Sequence, residues 1–299
     1  MPLPSTLVGA VSGPFTYTAD ARWLMAYAAA LGERAPCYFD TCAALAPHPL
    51  FPVCLEWDAI VALRESTEVT AMSAQERASA VHAEHDLHLL RPIRAGERLE
   101  VTATAIALEA RRPGAYVVKR IDTRDTHGDL VARTYQGTLY RGVAVAGTPC
   151  ALETTPNWPA AALEPEPDGA GHSIDVRSGL AHIYTECARI WNPIHTDRAH
   201  ALAAGLPDII LHGTATLALA LSALVATRLG GEPGRVTRLG CRMSGMVRMP
   251  ATLALIAQQA TADTLAFAVR DAHGASVLSR GFVEYKAKLG TDERFSQSV

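Results

Sequence analysis

The chain repeats itself, and a repeat constrains a fold more tightly than any composition does. Arg124-Asp125-Thr126-His127-Gly128 returns as Arg270-Asp271-Ala272-His273-Gly274, each lying between two strand-like runs. The first copy is flanked by Tyr116-Val117-Val118 and Tyr135 to Tyr140, the second by Leu265 to Val269 and Gly281 to Tyr285. Upstream, Pro92 to Val101 parallels Met246 to Leu255 in the same order. Asp-x-His-Gly alone is ordinary hairpin-turn chemistry. Two matches in one order, with the same kind of flank, point to a duplicated unit.

Each half runs from an early helical region into a series of strands. In the second half, Gly213 to Leu229 reads as one long helix ended by Gly230-Gly231. It is apolar almost all round, so it belongs inside the molecule. A buried helix wrapped by an antiparallel sheet is a hot-dog unit, and two of them give an α+β double hot dog. The expected boundaries are a first repeat over 1–146, a linker over 147–171, a second repeat over 172–290 and a tail over 291–299. The linker reading rests on Pro149, Pro156, Pro159, Pro165 and Pro167 in a stretch without helical or strand period. The halves are not equivalent: the first carries Pro47, Pro49 and Pro52 where the second approaches its long helix through Pro207 to His212.

Charge and cysteine usage exclude several classes. A net charge of −3 leaves no electrostatic footprint for nucleic acid. The six cysteines, Cys37, Cys42, Cys54, Cys150, Cys187 and Cys241, are scattered with no C-x-x-C pair, which suits reduced thiols rather than a disulfide framework. Asp20, Arg22 and Glu33 interrupt the N-terminal stretch where a signal peptide would be apolar. The longest apolar run, Ala215 to Ala226, is too short for a bilayer. The expectation is a soluble, cytoplasmic protein with no membrane partner.

Chemistry concentrates in the second half. Tyr184-Thr185-Glu186-Cys187-Ala188-Arg189-Ile190-Trp191-Asn192-Pro193-Ile194-His195-Thr196-Asp197 is followed by Ala204-Gly205-Leu206-Pro207 and Ile210-Leu211-His212-Gly213-Thr214. This resembles the signature of MaoC-like, (R)-specific enoyl-CoA hydratases, Y-x-x-x-S-G-D-x-N-P-I-H followed by His-Gly at a helix start. The resemblance implies an acyl-CoA thioester substrate in fatty acid metabolism, no metal or redox cofactor, a degenerate first repeat that shapes the acyl pocket, and room for a homodimer. It also implies a catalytic Asp five positions before His195, where this chain has Ile190.

Hydrating a 2-enoyl thioester needs a base for water, an acid for the α-carbon, and donors for the enolate-like oxygen. His195 is the candidate base. Asn192 can hold a turn or donate to water, and Gly213 at a helix start offers an unshielded N–H backed by the helix dipole. With Ile190 unable to carry a proton, Glu186, one helical turn earlier, is the first candidate replacement. Tyr184, Asp197 and the Cys187 thiol follow it. Tyr184 and His212 are candidate substrate-side residues. Arg242 and Arg248, with Arg235 and Arg238, could meet CoA phosphates, though a solvated strand face explains them equally well. Three activities stay open: hydration or dehydration, thioester hydrolysis, and acyl-CoA binding without turnover.

His82, His85 and His88 recur every third residue and look like metal ligands. Strand alternation over Glu84 to Ile93 would send His85 to the face opposite His82 and His88, which argues against a metal site.

Overall fold

The computed structural model describes residues 1–160, 165 and 171–287, so the 291–299 tail expected from the sequence lies outside the described residues. Each half begins with a strand and a helix: β1 (Val11–Ala19) and α1 (Ala21–Ala30), then a second helix, α2 (Val53–Arg64). Four strands follow: β2 (Ala80–Leu89), β3 (Glu97–Arg111), β4 (Gly114–Asp125) and β5 (Leu130–Arg141). The second half repeats the series with β6 (His172–Val176), α3 (Leu180–Ala188) and α4 (Gly213–Arg228). It then adds β7 (Val236–Met243), β8 (Ala251–Thr261), β9 (Thr264–Arg270) and β10 (Ser276–Tyr285).

These ten strands form one continuous sheet in the order β1-β3-β4-β5-β2-β7-β10-β9-β8-β6. From either edge inward the sequence of strands is first, third, fourth, fifth, second. The halves are therefore related as a pseudo-dimer, and the seam between them is the antiparallel pair β2–β7, with Asp86 opposite Gly240. Buried Asp86 accepts two hydrogen bonds from Arg238, each 2.9 Å, across that seam. The fold is a double hot dog, with α2 and α4 as the two central helices.

The duplicated turns join the fourth and fifth strands of each unit. Asp125 Oδ1 accepts from the amides of His127 and Asp129 at 2.9 and 3.0 Å, and Asp271 Oδ1 accepts from His273 and Ala275 at 2.9 Å each. Gly128 and Gly274 adopt φ of 84° and 80°, which favours glycine at both places. The sheet wraps its helices because alternate residues point inward: Leu99, Val101 and Ala103 of β3 are sealed while Glu100 faces out. The long helix is buried from Ala215 to Val225 except at Leu219 and Ser222, its alanines allowing close approach of the strands, and it surfaces only in its last turn.

Three expectations change in detail. The long helix stops at Arg228, with Gly230 and Gly231 at positive φ just beyond it. The described part of the linker lies along the sheet: Cys150–Ala151 pairs with β3, and Trp158 sits edge-on to Phe282 at 5.5 Å. Finally, β2 does not alternate cleanly. A register shift between His82 and Glu84 against β5 inserts Ala83 as a bulge, which flips the parity of everything after it. His82 and His85 therefore share one side, their rings 5.3 Å apart, and His88 is the one that points away toward Tyr135 and Asp86.

The repeats also share a feature hidden in the sequence. After its first helix, each places a short 3-10 turn that starts on proline: Pro36–Tyr38 in the first half, Pro193–His195 in the second. Tyr38 thus occupies the place in the first half that His195 holds in the second.

Candidate active site

The motif folds as a cap over the start of α4. Helix α3 ends at Arg189, whose φ of 57° is left-handed, at the place where the motif carries glycine. Its guanidinium lies 3.7 Å from the Trp23 ring centroid of α1, a contact that offsets the backbone cost. The chain then turns through Asn192 into the Pro193–His195 turn, where the His195 amide donates to Asn192 O at 3.1 Å.

His195 is oriented by two neighbours. Its Nδ1 lies 2.8 Å from Ile210 O, and a carbonyl only accepts, so Nδ1 carries the proton and Nε2 is left as the basic nitrogen. Its ring stacks on His212, centroids 3.6 Å apart. Burial holds His195 down to about 4 despite that carbonyl, and the Arg64 charge adds to the effect. Burial and His195 push His212 well below the usual histidine range. Both imidazoles are therefore neutral at pH 7. His212 Nε2 lies 3.1 Å from Thr185 Oγ1, and its ring is 5.0 Å from that of Tyr184. Tyr184 is fully buried and donates to Thr214 Oγ1 at 3.2 Å. Gly213 opens α4, so its N–H is among those with no partner inside the helix.

These groups border a cavity of about 430 Å³. Ile190, Asn192, His195, His212, Gly213 and Thr214 line it from the second repeat. The first repeat lines it from α2 and β2 with Glu56, Trp57, Arg64, His82 and His85, and from β5 with Gln136.

The structure separates the other expected residues from this cavity. Glu186 is exposed and does not line it, so the expectation that it replaces the missing acid is corrected: α3 turns that side chain to solvent, away from Ile190. Tyr184 lies behind His212, and Asp197 caps the following short helix by accepting from the His200 amide at 3.1 Å. Cys187 is outside as well, its thiol pushed up by burial. Arg242 is exposed on the seam strand and bonds Glu84 at 2.9 Å, outside the cavity. Arg248 is exposed and outside the cavity lining as well, each arginine being next in sequence to a lining residue, Met243 for Arg242 and Val247 for Arg248.

The residue that sequence reasoning missed is Glu56. Among the described residues it is the single carboxyl side chain lining the cavity. It is almost fully sealed, its Oε1 accepts the Thr134 hydroxyl, and burial raises it to about 7. Its charge acts on Tyr184, which borders His212. The signal was there: Glu56 falls with Ala59, Ile60 and Leu63 at i, i+3, i+4, i+7, a carboxyl on an apolar helix stripe.

Comparison with known proteins fits this arrangement. A MaoC-like domain model matches residues 171–273, and a FAS1-like dehydratase-region model matches residues 6–134. The 3-hydroxyacyl-thioester dehydratase Y of Mycobacterium tuberculosis is 30% identical over 224 residues, covering 70% of this chain and 74% of that protein. The chain belongs to the MaoC-like dehydratase family. Solved structures agree in fold. A MaoC-like dehydratase from Phytophthora capsici superposes with a TM-score of 0.80 at 22% identity, covering 94% of this chain and 97% of that one. A Mycobacterium tuberculosis protein described as a double hotdog fold gives 0.57 at 18% identity, covering 93% and 95%. Within this MaoC-like chain no helix among the described residues is long and apolar enough to cross a membrane.

Proposed function

We propose that this MaoC-like chain interconverts a 2-enoyl thioester and its 3-hydroxyacyl hydrate, with His195 as the base and Glu56 in place of the motif aspartate as the acid. The observation that carries the reading is the composition of the cavity. It brings His195, whose proton is fixed on the nitrogen turned to Ile210 O, together with Glu56, among the described residues the single carboxyl that lines it.

In the hydration direction, His195 Nε2 takes a proton from water as the water oxygen bonds to the β-carbon. The double-bond electrons move toward the thioester, whose oxygen gains negative charge beside the Gly213 N–H at the positive end of α4. Such a donor contributes about 3 kcal/mol to the barrier. Glu56, raised by burial to about 7 and so about half protonated at neutral pH, delivers the proton to the α-carbon in its protonated fraction. Passage of the His195 proton back to Glu56, directly or through water, resets the site. Dehydration runs these steps in reverse. Arg248, exposed and next in sequence to Val247 of the cavity lining, is the candidate contact for the phosphates of a CoA carrier.

The test follows the absorbance of trans-2-enoyl-CoA with purified protein. Turnover should vanish in His195→Ala. Glu56→Gln should lower kcat by about 10²–10⁴-fold, the usual worth of a positioned proton donor. Adding Ile190→Asp to that variant should recover part of the loss, because it restores a carboxyl where the motif has one. Unimpaired Glu56→Gln removes Glu56 from the mechanism. Release of free thiol from saturated acyl-CoAs would make the protein a thioesterase, and tight binding with no turnover would make it a binding protein.

A further inference from the structure

The wall facing His195 is the wrong surface for a plain hydrocarbon chain. Arg64, at the end of α2, lines the cavity beside Trp57, its guanidinium 5.2 Å from that ring. Its Nε is sealed from solvent with no hydrogen-bond partner, and among the described residues Arg64 makes no ion pair. His85 is fully buried and both of its ring nitrogens lack partners, yet it borders the same cavity. The bulge at Ala83 brings His85 to the same side as His82, and the Gln136 amide adds a further polar group. Behind them the buried Lys119 amine donates to Gln136 Oε1 at 3.2 Å and to Thr138 Oγ1 at 2.7 Å.

In this cluster Gln136 Oε1 is already taken by Lys119, and Arg64 Nε and both His85 ring nitrogens are left without a partner. The carboxylate that acts on His85 is its neighbour Asp86, already bound twice by Arg238 across the seam. Glu56 lies eight residues before Arg64 on the same helix, about 12 Å along its axis. A buried donor left unpaired is costly, more so when charged, so such groups gathered on one cavity wall point to a ligand that pairs with them. Arg64 is also close enough for its charge to bear on His195. The ligand's anionic end must therefore sit a short way from the reacting carbons.

We infer that the acyl group this cavity takes is short and ends in a carboxylate, held by Arg64 with His85 and Gln136. The inference rests on the acyl-thioester reading above and narrows its substrate class. A guanidinium is the side chain best suited to a carboxylate, since its fork can donate two parallel bonds.

The experiment compares binding of two saturated thioesters of equal carbon number, pentanoyl-CoA and glutaryl-CoA, to the full chain by calorimetry. They differ only in a terminal methyl against a terminal carboxylate, and neither can be hydrated, so the result does not depend on turnover. Glutaryl-CoA should bind tighter by on the order of 10- to 100-fold, the worth of a charge-assisted pair. Arg64→Met should bring the two ligands to within a few-fold of each other, and Arg64→Lys should keep part of the preference. Pentanoyl-CoA binding reports in each variant that the fold is intact. Equal affinities in the unmodified chain overturn the inference. So does an Arg64→Met variant that weakens both ligands alike, which would assign Arg64 to the CoA portion they share. Enoyl-CoA turnover measured alongside separates the two readings. Preference without turnover sinks the hydratase assignment and leaves this one, while turnover without preference does the reverse.

Discussion

Glu56 carries both a chemical and a stability consequence. Its folded value, about 7, lies above the ordinary 4.5 because burial opposes the charged form. A group raised in this way lends its stability in full below its unfolded value and loses it as pH climbs through the folded one. Two and a half units correspond to about 3 kcal/mol. Melting curves of the unmodified chain and Glu56→Gln should therefore converge near pH 5 and separate toward pH 8.5, the variant becoming relatively more stable. Hydration should show the same group as a limb: kcat/KM falls above about pH 7 and loses that limb in the variant. His195 sets the acid side, remaining a neutral base until pH approaches about 4. A melting difference that ignores pH would mean Glu56 is not buried as a neutral acid. At this scale His195, Asn192 and Gly213 were legible because they are contiguous with a motif. Glu56 and Arg64 were not, because the resemblance implies only that the first repeat shapes the pocket and does not say which of its helix residues face it.

The elements show where sequence periodicity succeeds and where it stops. The paired turns were readable because their chemistry is local: an Asp carboxylate gathers two nearby amides and a Gly takes positive φ. Gly128→Ala and Gly274→Ala should each destabilise the chain by about 1 kcal/mol, the cost of a left-handed alanine. The effects should add in urea melts, since the turns are far apart and share no partners. A strongly unequal pair of losses would show that the turns are not structural equivalents. The bulge in β2 was not readable. One extra residue reverses which side chains face inward, and it moved His82 and His85 together into the cavity wall. The helix boundary at Arg228 and the reach of the linker over Phe282 depend likewise on tertiary packing.

At the scale of the molecule, one sheet runs through both repeats, so neither repeat ends in a protected edge at the seam. The chain should unfold in one cooperative transition by circular dichroism and fluorescence together. Disrupting the buried Asp86–Arg238 pair with Arg238→Met should lower that transition by about 3–5 kcal/mol, the penalty for stranding a buried carboxylate. Two separated transitions would show that the repeats are thermodynamically independent. The duplication itself was visible in the sequence, and the resemblance implied a first repeat that shapes the pocket, whereas the side chains that build that wall were not legible. The proline-started turns put Tyr38 in one repeat and His195 in the other. In a dimer of identical chains, any substitution strikes both sites at once, and a wall residue cannot change without changing its catalytic twin. In one chain the two units are encoded separately, so the α2 wall that carries Glu56 and Arg64 and the turn that carries His195 can each change without a matching change in the other.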